Sequence, residues 1–499
     1  MIPGRESTAA AGGKGAASGP RQETRQISLR IAVGVVTAFA LLLLAQKILI
    51  VLWDPVFTGD AGIRMDTAFR PIFLLGNRMW LPYLQLHIWI FYLLKMPYRF
   101  YNLIPCFYFF VAVLSLGLLS LRQLGRTWPG ILFTLALILG FAQQQLASRM
   151  STTLYQEILG AAFLYLLLDL GALQLRKSRI LLALGILALL TRDTFQFYLL
   201  SLTLLNWKTI VRDGDYRRSF LLLWAVPAGW LLSIPFLHLW HDGRFPRSLV
   251  EWPLMINKDD PPVSLLSLSL SSLWTGLMFS RAAILALLVV LSGLAIRWGS
   301  KRAAPLPENG AGEFSRRFTP FSLLSLGMIY CAIILFNPTR ATFGNSRMAF
   351  PLLEHLFVWA LLALAASYSC RTAQRCTARI LVIVGLVLSL NPTARAWIPR
   401  HNEVTTKVYP DLERLLHEVS PNATPVVCFG PDTIYDLYAR FVAPTLYAQR
   451  RYLPEVPRIP GYCTVWISRP EAVPPDIGQF LKAREYKLGK VAYEVYRER

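Results

Sequence analysis

Ile31-Ala-Val-Gly-Val-Val-Thr-Ala-Phe-Ala-Leu-Leu-Leu-Leu-Ala-Gln-Lys-Ile-Leu-Ile-Val-Leu-Trp53 is followed, after Asp54-Pro-Val56, by Phe57-Thr-Gly-Asp60-Ala-Gly-Ile-Arg64-Met-Asp66. A helix needs about 20 mostly apolar residues to cross the hydrocarbon core of a bilayer, and the first stretch supplies them. It has no convincing small-residue cleavage site, so it reads as a retained helix, flanked on its near side by Arg21, Arg25 and Arg30. The second stretch is acidic and lies immediately beyond. The pair therefore reads as a membrane helix that delivers carboxylates to one surface.

The rest of the chain repeats the pattern. Of 499 residues 54% are hydrophobic, and the mean hydropathy is +0.43, as in polytopic helical membrane proteins. A soluble globular protein is excluded on this composition. The formal charge of +22 does not point to nucleic acid, because the basic residues fall in short clusters between apolar runs instead of forming one stripe. Further spans are expected near residues 102–121, 128–147, 155–174, 179–191, 194–207, 219–240, 274–296, 319–337, 350–369 and 379–396, about eleven with the first. Arg192-Asp193 divides the 179–207 stretch, and counting two short spans there lets the loops sort by charge.

Alternate loops carry Arg122/Arg126, Arg176/Lys177/Arg179, Lys208/Arg212/Arg217/Arg218, Arg297/Lys301/Arg302/Arg316/Arg317 and Arg371/Arg375/Arg379. The positive-inside rule makes these loops and the N-terminus cytoplasmic, and the remaining loops and the tail extracytoplasmic. Residues 1–29 form an Ala/Gly/Ser-rich cytoplasmic tail expected to be disordered. The membrane domain covers 30–396. Its first outer loop, 54–100, contains an aromatic apolar run at 81–94 that is too short to span and reads as an interfacial or re-entrant helix.

Past Trp397 the composition changes. Charged residues recur at helical spacing over 409–419, and short apolar runs at Pro425-Val-Val-Cys-Phe429 and Cys463-Thr-Val-Trp-Ile467 read as buried strands, with a helix over 433–441 between them. Residues 397–499 are thus expected to form a small α/β domain outside the membrane. Cys428 and Cys463 are expected to lie close together in it, whether as a disulfide or as two buried thiols.

With these motifs placed, the chain resembles the GT-C superfamily of integral-membrane glycosyltransferases, and within it the dolichyl-phosphate-mannose protein mannosyltransferase and aminoarabinose transferase group. The likeness covers roughly residues 30–210. It is carried by Gly59-Asp60 after the first span, Trp80-Leu-Pro82, Ser148-Arg149-Met150 with Glu157, and Leu190-Thr-Arg192, in the family's order. Asn345-Ser-Arg347-Met-Ala-Phe-Pro351 is similar to the Arg-bearing approach to a late span in these enzymes. The resemblance implies transfer of a sugar from a polyprenyl-phosphate donor to an acceptor at the outer face of a membrane, here read as a bacterial plasma membrane. Family members commonly have two adjacent carboxylates in the first loop, whereas Asp60 is followed by Ala61 and the next acid is Asp66. A divalent metal stays open as a cofactor, with no metal ligand assigned.

Such a transfer needs a group to take the acceptor's proton, cations for the leaving phosphate and a groove for the lipid. Asp60 is the candidate base, against its alternative as a loop acid capping a helix. Glu157 is either a cavity acid or the structural partner of Arg149. Arg149, Arg192 and Arg347 sit at span edges, where a guanidinium can hold a phosphate through two hydrogen bonds or simply reach the headgroup layer. Arg64, Asp66, Trp80, Tyr83 and His87 are candidates for the acceptor site or the groove; interfacial anchoring also explains the aromatics. Asp169, in the inner half of its span, is expected to pair with a basic neighbour. The competing classes are a transporter or flippase, which would show internal repeats or midplane charges, and an inactive scaffold of the same fold.

Overall fold

The structure, a computed structural model, describes residues 27–53, 103–146, 153–171, 178–191, 194–242, 282–300, 311–336, 350–368, 372–390, 427–429, 465–470, 480–488 and 491–498, with a few single positions between them. These form helices α1 (Leu29–Trp53), α2 (Leu103–Leu124), α3 (Trp128–Leu146), α4 (Thr153–Asp169), α5 (Ser178–Thr191), α6 (Thr194–Leu205), α7 (Trp207–Arg212), α8 (Gly214–Asp242), α9 (Ala282–Ser300), α10 (Ala311–Phe336), α11 (Phe350–Ser367) and α12 (Thr372–Ser389). Strands β1 (Val427–Phe429), β2 (Val465–Ser468), β3 (Phe480–Leu488) and β4 (Val491–Glu498) follow. The chain is mostly helical because its apolar runs can satisfy their backbone groups internally, residue i to i−4, with no second segment.

Three of these helices are long and apolar enough to cross a membrane, over Leu29–Leu52, Leu103–Leu124 and Trp128–Leu146. Shorter apolar helices cover Ile158–Asp169, Arg179–Leu190, Thr194–Leu205, Ile284–Arg297 and Pro351–Ser367. The 12 residues of α6 rise only about 18 Å, well short of a hydrocarbon core about 30 Å thick. The break between α5 and α6 falls where Arg192-Asp193 divides the sequence. Elsewhere the boundaries moved: α10 begins eight residues before the expected 319 and α12 seven before 379. Both take in charged flanks, Glu313/Arg316/Arg317 and Arg375, because a helical ladder has no reason to end where hydrophobicity does. Arg317 donates to Glu313 one turn back at 2.7 Å, which supports that extension.

The helices pack around α11, which touches α2, α3, α4, α9, α10 and α12. Phe357 of α11 is fully buried, meeting Phe141 of α3 edge-to-face at 5.5 Å, and Phe141 in turn meets Tyr165 of α4 at 5.2 Å. Helix α2 lies against α1, α3 and α4. Gly117 permits the α1 approach, since a Cβ there would stand 2.6 Å from Val36 Cγ1. The α2–α3 turn uses Gly125 at φ +80, the left-handed region that favours glycine.

Polar contacts fix which helix ends lie together. The buried Lys47 of α1 donates from Nζ to the carbonyls of Gln145 at 2.7 Å and Leu146 at 3.3 Å, the final residues of α3. Those carbonyls have no intrahelical partner, and a cation suits the negative end of the helix dipole. Gln144 Nε2 donates to the Ser389 carbonyl at 2.9 Å, adding the end of α12. At the opposite end the Ile27 N–H donates to the Arg126 carbonyl, joining the start of α1 to the α2–α3 turn. There Arg122 of α2 meets Asp169 of α4 at 3.3 Å, the expected basic partner. Arg379 of α12 lies over the Tyr368 ring at 4.1 Å and donates to Ser367 Oγ, which sets the start of α12 beside the end of α11.

The tail forms one sheet in the order β1-β2-β4-β3, with β1 parallel to β2 and the other pairs antiparallel. A hairpin cannot join parallel strands, and residues 430–464 separate β1 from β2 in the sequence. Cys428 is in register with Trp466, three residues past Cys463. Cys463 and the 433–441 helix lie outside the described residues, as does the 81–94 helix apart from single positions. Positions 411, 414, 415 and 418 are helical, as their spacing predicts, and Asp411 accepts from Tyr486 Oη of β3 at 2.9 Å.

Glu485 and Glu494 face each other across β3 and β4, and Lys482 bridges both carboxylates. The Lys482 hydrogen bond, followed by one from Tyr496, holds the Glu494 carboxyl below its usual value, while burial pushes the Tyr496 phenol up to about 12. A carboxylate with a depressed folded pKa contributes stability above its unfolded value, about 4.3, and loses it as pH falls through the folded value. Acid titration of the tail sheet, followed by its circular dichroism, is therefore expected to show a loss below about pH 4.3 that Glu494→Gln removes. Identical acid curves for the two proteins would contradict the assignment.

Candidate functional site

Asp60, Arg64, Asp66, Trp80, Tyr83, His87, Arg149, Arg192 and Arg347 lie outside the described residues. Glu157 is in the first turns of α4, with its side chain outside them. What the structure does place is the helix end from which each motif departs. Asp60 follows the end of α1 by seven residues, Arg149 follows α3 by three, Arg192 precedes α6 by two and Arg347 precedes α11 by three.

Those ends share one end of the bundle. The Lys47 and Gln144 contacts bring the C-terminal ends of α1, α3 and α12 together. Helix α11 runs antiparallel to α12, because its last turn meets the first turns of α12, so the N-terminal end of α11 joins this group. Helix α4 ends beside Arg122 at the opposite end and therefore starts, with Glu157, at the same end as the others. Helix α6 is brought in by Tyr198, whose hydroxyl donates to Glu354 Oε2 of α11 at 2.9 Å.

That last contact belongs to a buried polar cluster the sequence reading passed over. Glu354 and His355 lie in the second turn of α11 and Tyr198 in the second turn of α6, all of them buried. Tyr165 Oη donates to the Glu354 carbonyl at 2.9 Å. His355 Nε2 is 3.1 Å from Tyr198 Oη, whose own proton goes to Glu354, so Nε2 carries the hydrogen and donates. Nδ1 is then an acceptor, and among the described residues it has no partner. Phe318 stacks on the imidazole at 5.8 Å and Phe321 stands 6.1 Å away. The signal was present in the sequence as an adjacent acid and histidine inside an apolar run, a costly placement that usually marks a working or pinning group.

Chemically the cluster is a brace. It fixes the second turns of α6 and α11 to each other through the Tyr198–Glu354 hydrogen bond. Among the described residues no group of three or more His, Cys, Asp or Glu side chains is arranged to hold a metal ion. No protein-family model, curated protein or solved structure matches this chain.

Proposed function

We propose that this chain is a multi-pass membrane glycosyltransferase of about eleven spans, which moves a sugar from a polyprenyl phosphate to an acceptor at the outer membrane face. One observation carries the reading: the helix ends adjoining Asp60, Arg149, Glu157, Arg192 and Arg347 gather at a single end of the bundle, opposite the Arg122–Asp169 and Arg379 contacts. A base, an acid and three guanidinium groups near the membrane surface are the inventory this transfer requires. In the step, the bond from the sugar's anomeric carbon to the phosphate oxygen breaks and polyprenyl phosphate leaves with the electron pair. A bond forms from that carbon to the acceptor oxygen or nitrogen, whose proton passes to Asp60. Arg192 and Arg347 offset the charge on the departing phosphate.

The reading is tested by incubating the purified protein in nanodiscs with polyprenyl-phosphate sugars and following release of polyprenyl phosphate. Consumption of a donor supports it; inertness toward hexosyl and pentosyl donors, with acceptor fractions of the cell envelope present, sinks it. Orientation has its own check. Reporter fusions after Arg218 are expected to behave as cytoplasmic and fusions after Pro399 as exported, and the reverse at both sites would overturn the proposed active side.

A further inference from the structure

We propose that the junction of α6, α7 and α8 is a binding site for the phosphate headgroup of an anionic phospholipid. The junction is built locally. Asn206 closes α6 by donating from Nδ2 to the Leu202 carbonyl, and its own carbonyl accepts from the N–H groups of Thr209 and Ile210 to start α7. Asp213 ends α7 and caps α8, its Oδ1 accepting from the N–H groups of Asp215 and Tyr216 at 2.9 and 3.3 Å. Trp224 Nε1 donates to Thr203 Oγ1 at 3.0 Å and holds α8 back against α6. An open concavity of about 460 Å³ results, lined by Lys208, Thr209, Arg212, Asp213 and Gly214.

The charge in this concavity is incompletely balanced. Lys208 and Arg212 are one helical turn apart, so both cations project from the same side of α7, an arrangement that repels unless an anion lies between them. Neither forms an ion pair among the described residues. Of the two nearby acids, Asp213 is engaged as the cap and Asp215 sits in the first turn of α8, where the helix dipole favours it. Arg217 and Arg218 add two further charges in the next turn.

The apolar surface beside the cations says which phosphate fits. Ile210 points into the core, while Trp207 and Val211, also one turn apart, are 59% and 51% exposed. Leu221 and Leu222, one turn past Arg217 and Arg218, are 64% and 54% exposed. Cations thus give way to uncovered leucines within a single turn, the profile of a surface passing from headgroups into acyl chains. A free phosphate would use Lys208 and Arg212 and leave Trp207, Val211 and the leucines in water. A phospholipid satisfies both halves, its phosphate between the cations and its chains over the apolar side.

The test uses delipidated full-length protein in detergent, titrated with phosphatidylglycerol and with phosphatidylcholine of the same acyl chains, with bound lipid counted by native mass spectrometry. Phosphatidylglycerol is expected to bind more tightly. Lys208→Gln with Arg212→Gln should weaken it by about thirtyfold, from two surface cations, and leave phosphatidylcholine unchanged. Lys208→Arg with Arg212→Lys should retain it. If the glutamine pair cannot be purified, Lys208→Gln alone carries the same test at about fivefold. Unchanged phosphatidylglycerol binding in the glutamine variant overturns the proposal, as does an equal loss in Arg316→Gln/Arg317→Gln on α10. Displacement by inorganic phosphate as effective as by phosphatidylglycerol would also overturn it, since the site would then be one for free anions.

Discussion

Asp60→Asn is expected to insert, fold and bind donor lipid as the parent protein does, while sugar transfer falls by about a hundredfold or more, the usual scale for losing a positioned proton acceptor. The substitution keeps the side chain's size and much of its hydrogen bonding, and removes only the charge proposed to accept a proton. Two companion variants separate this role from its neighbours. Glu157→Gln should cost less if that residue orders Arg149, and Arg192→Ala should raise the donor KM more than the acceptor KM. A folded Asp60→Asn protein with near-normal turnover would sink the assignment and move the search to Asp66 and Glu157.

Phe357→Ala is expected to be the most damaging of the core substitutions at the centre of the bundle, destabilising it by about 3–5 kcal/mol. Phe357 is fully buried on the helix around which the others pack, and it meets Phe141 of α3 edge-to-face. Its ring also stands 3.4 Å from where a Cβ on Gly140 would lie, so on that side the glycine has no side chain to move into the space. Phe357→Leu should lose clearly less, because it keeps most of the volume. Reversible unfolding in mixed micelles would measure both, and a loss below about 1 kcal/mol for the alanine variant would show that the cavity collapses.

Helix existence was legible wherever an apolar run was uninterrupted, as in α1, α2 and α3, because burial and backbone satisfaction both require a helix there. Helix ends were less so: the sequence marks where apolar residues stop, and α10 and α12 continue into Glu313 and Arg375, where only the hydrogen-bond ladder decides. Strands β1 and β2 were readable from their short apolar runs, their parallel pairing was not, and β3 and β4 were missed. Lys482, Arg484, Glu485 and Lys487 argue against a strand by propensity, and the irregular register between Lys482 and Arg484 breaks the alternation that would have revealed it. For the candidate site, the sequence marks residues at span edges as charges beside apolar runs, and apart from the backbone of Glu157 they lie outside the described residues. The Glu354–His355–Tyr198 brace was not legible, because its meaning depends on a partner 156 residues away in sequence.

Lys47 also bears on the order in which the chain is assembled. When α1 leaves the ribosome, α3 does not yet exist, and a lysine in an otherwise apolar helix has no carbonyl to meet in lipid. It lies six residues from Trp53, near enough to the helix end for its four-carbon stem to carry the amine toward the water interface. Only once α3 has been made are the Gln145 and Leu146 carbonyls available to the amine, which also lies over the ring of Phe109. The packing of α1 on α2 can therefore form first, whereas the Lys47 contact needs α3 and closes later, locking α1 to the end of that helix.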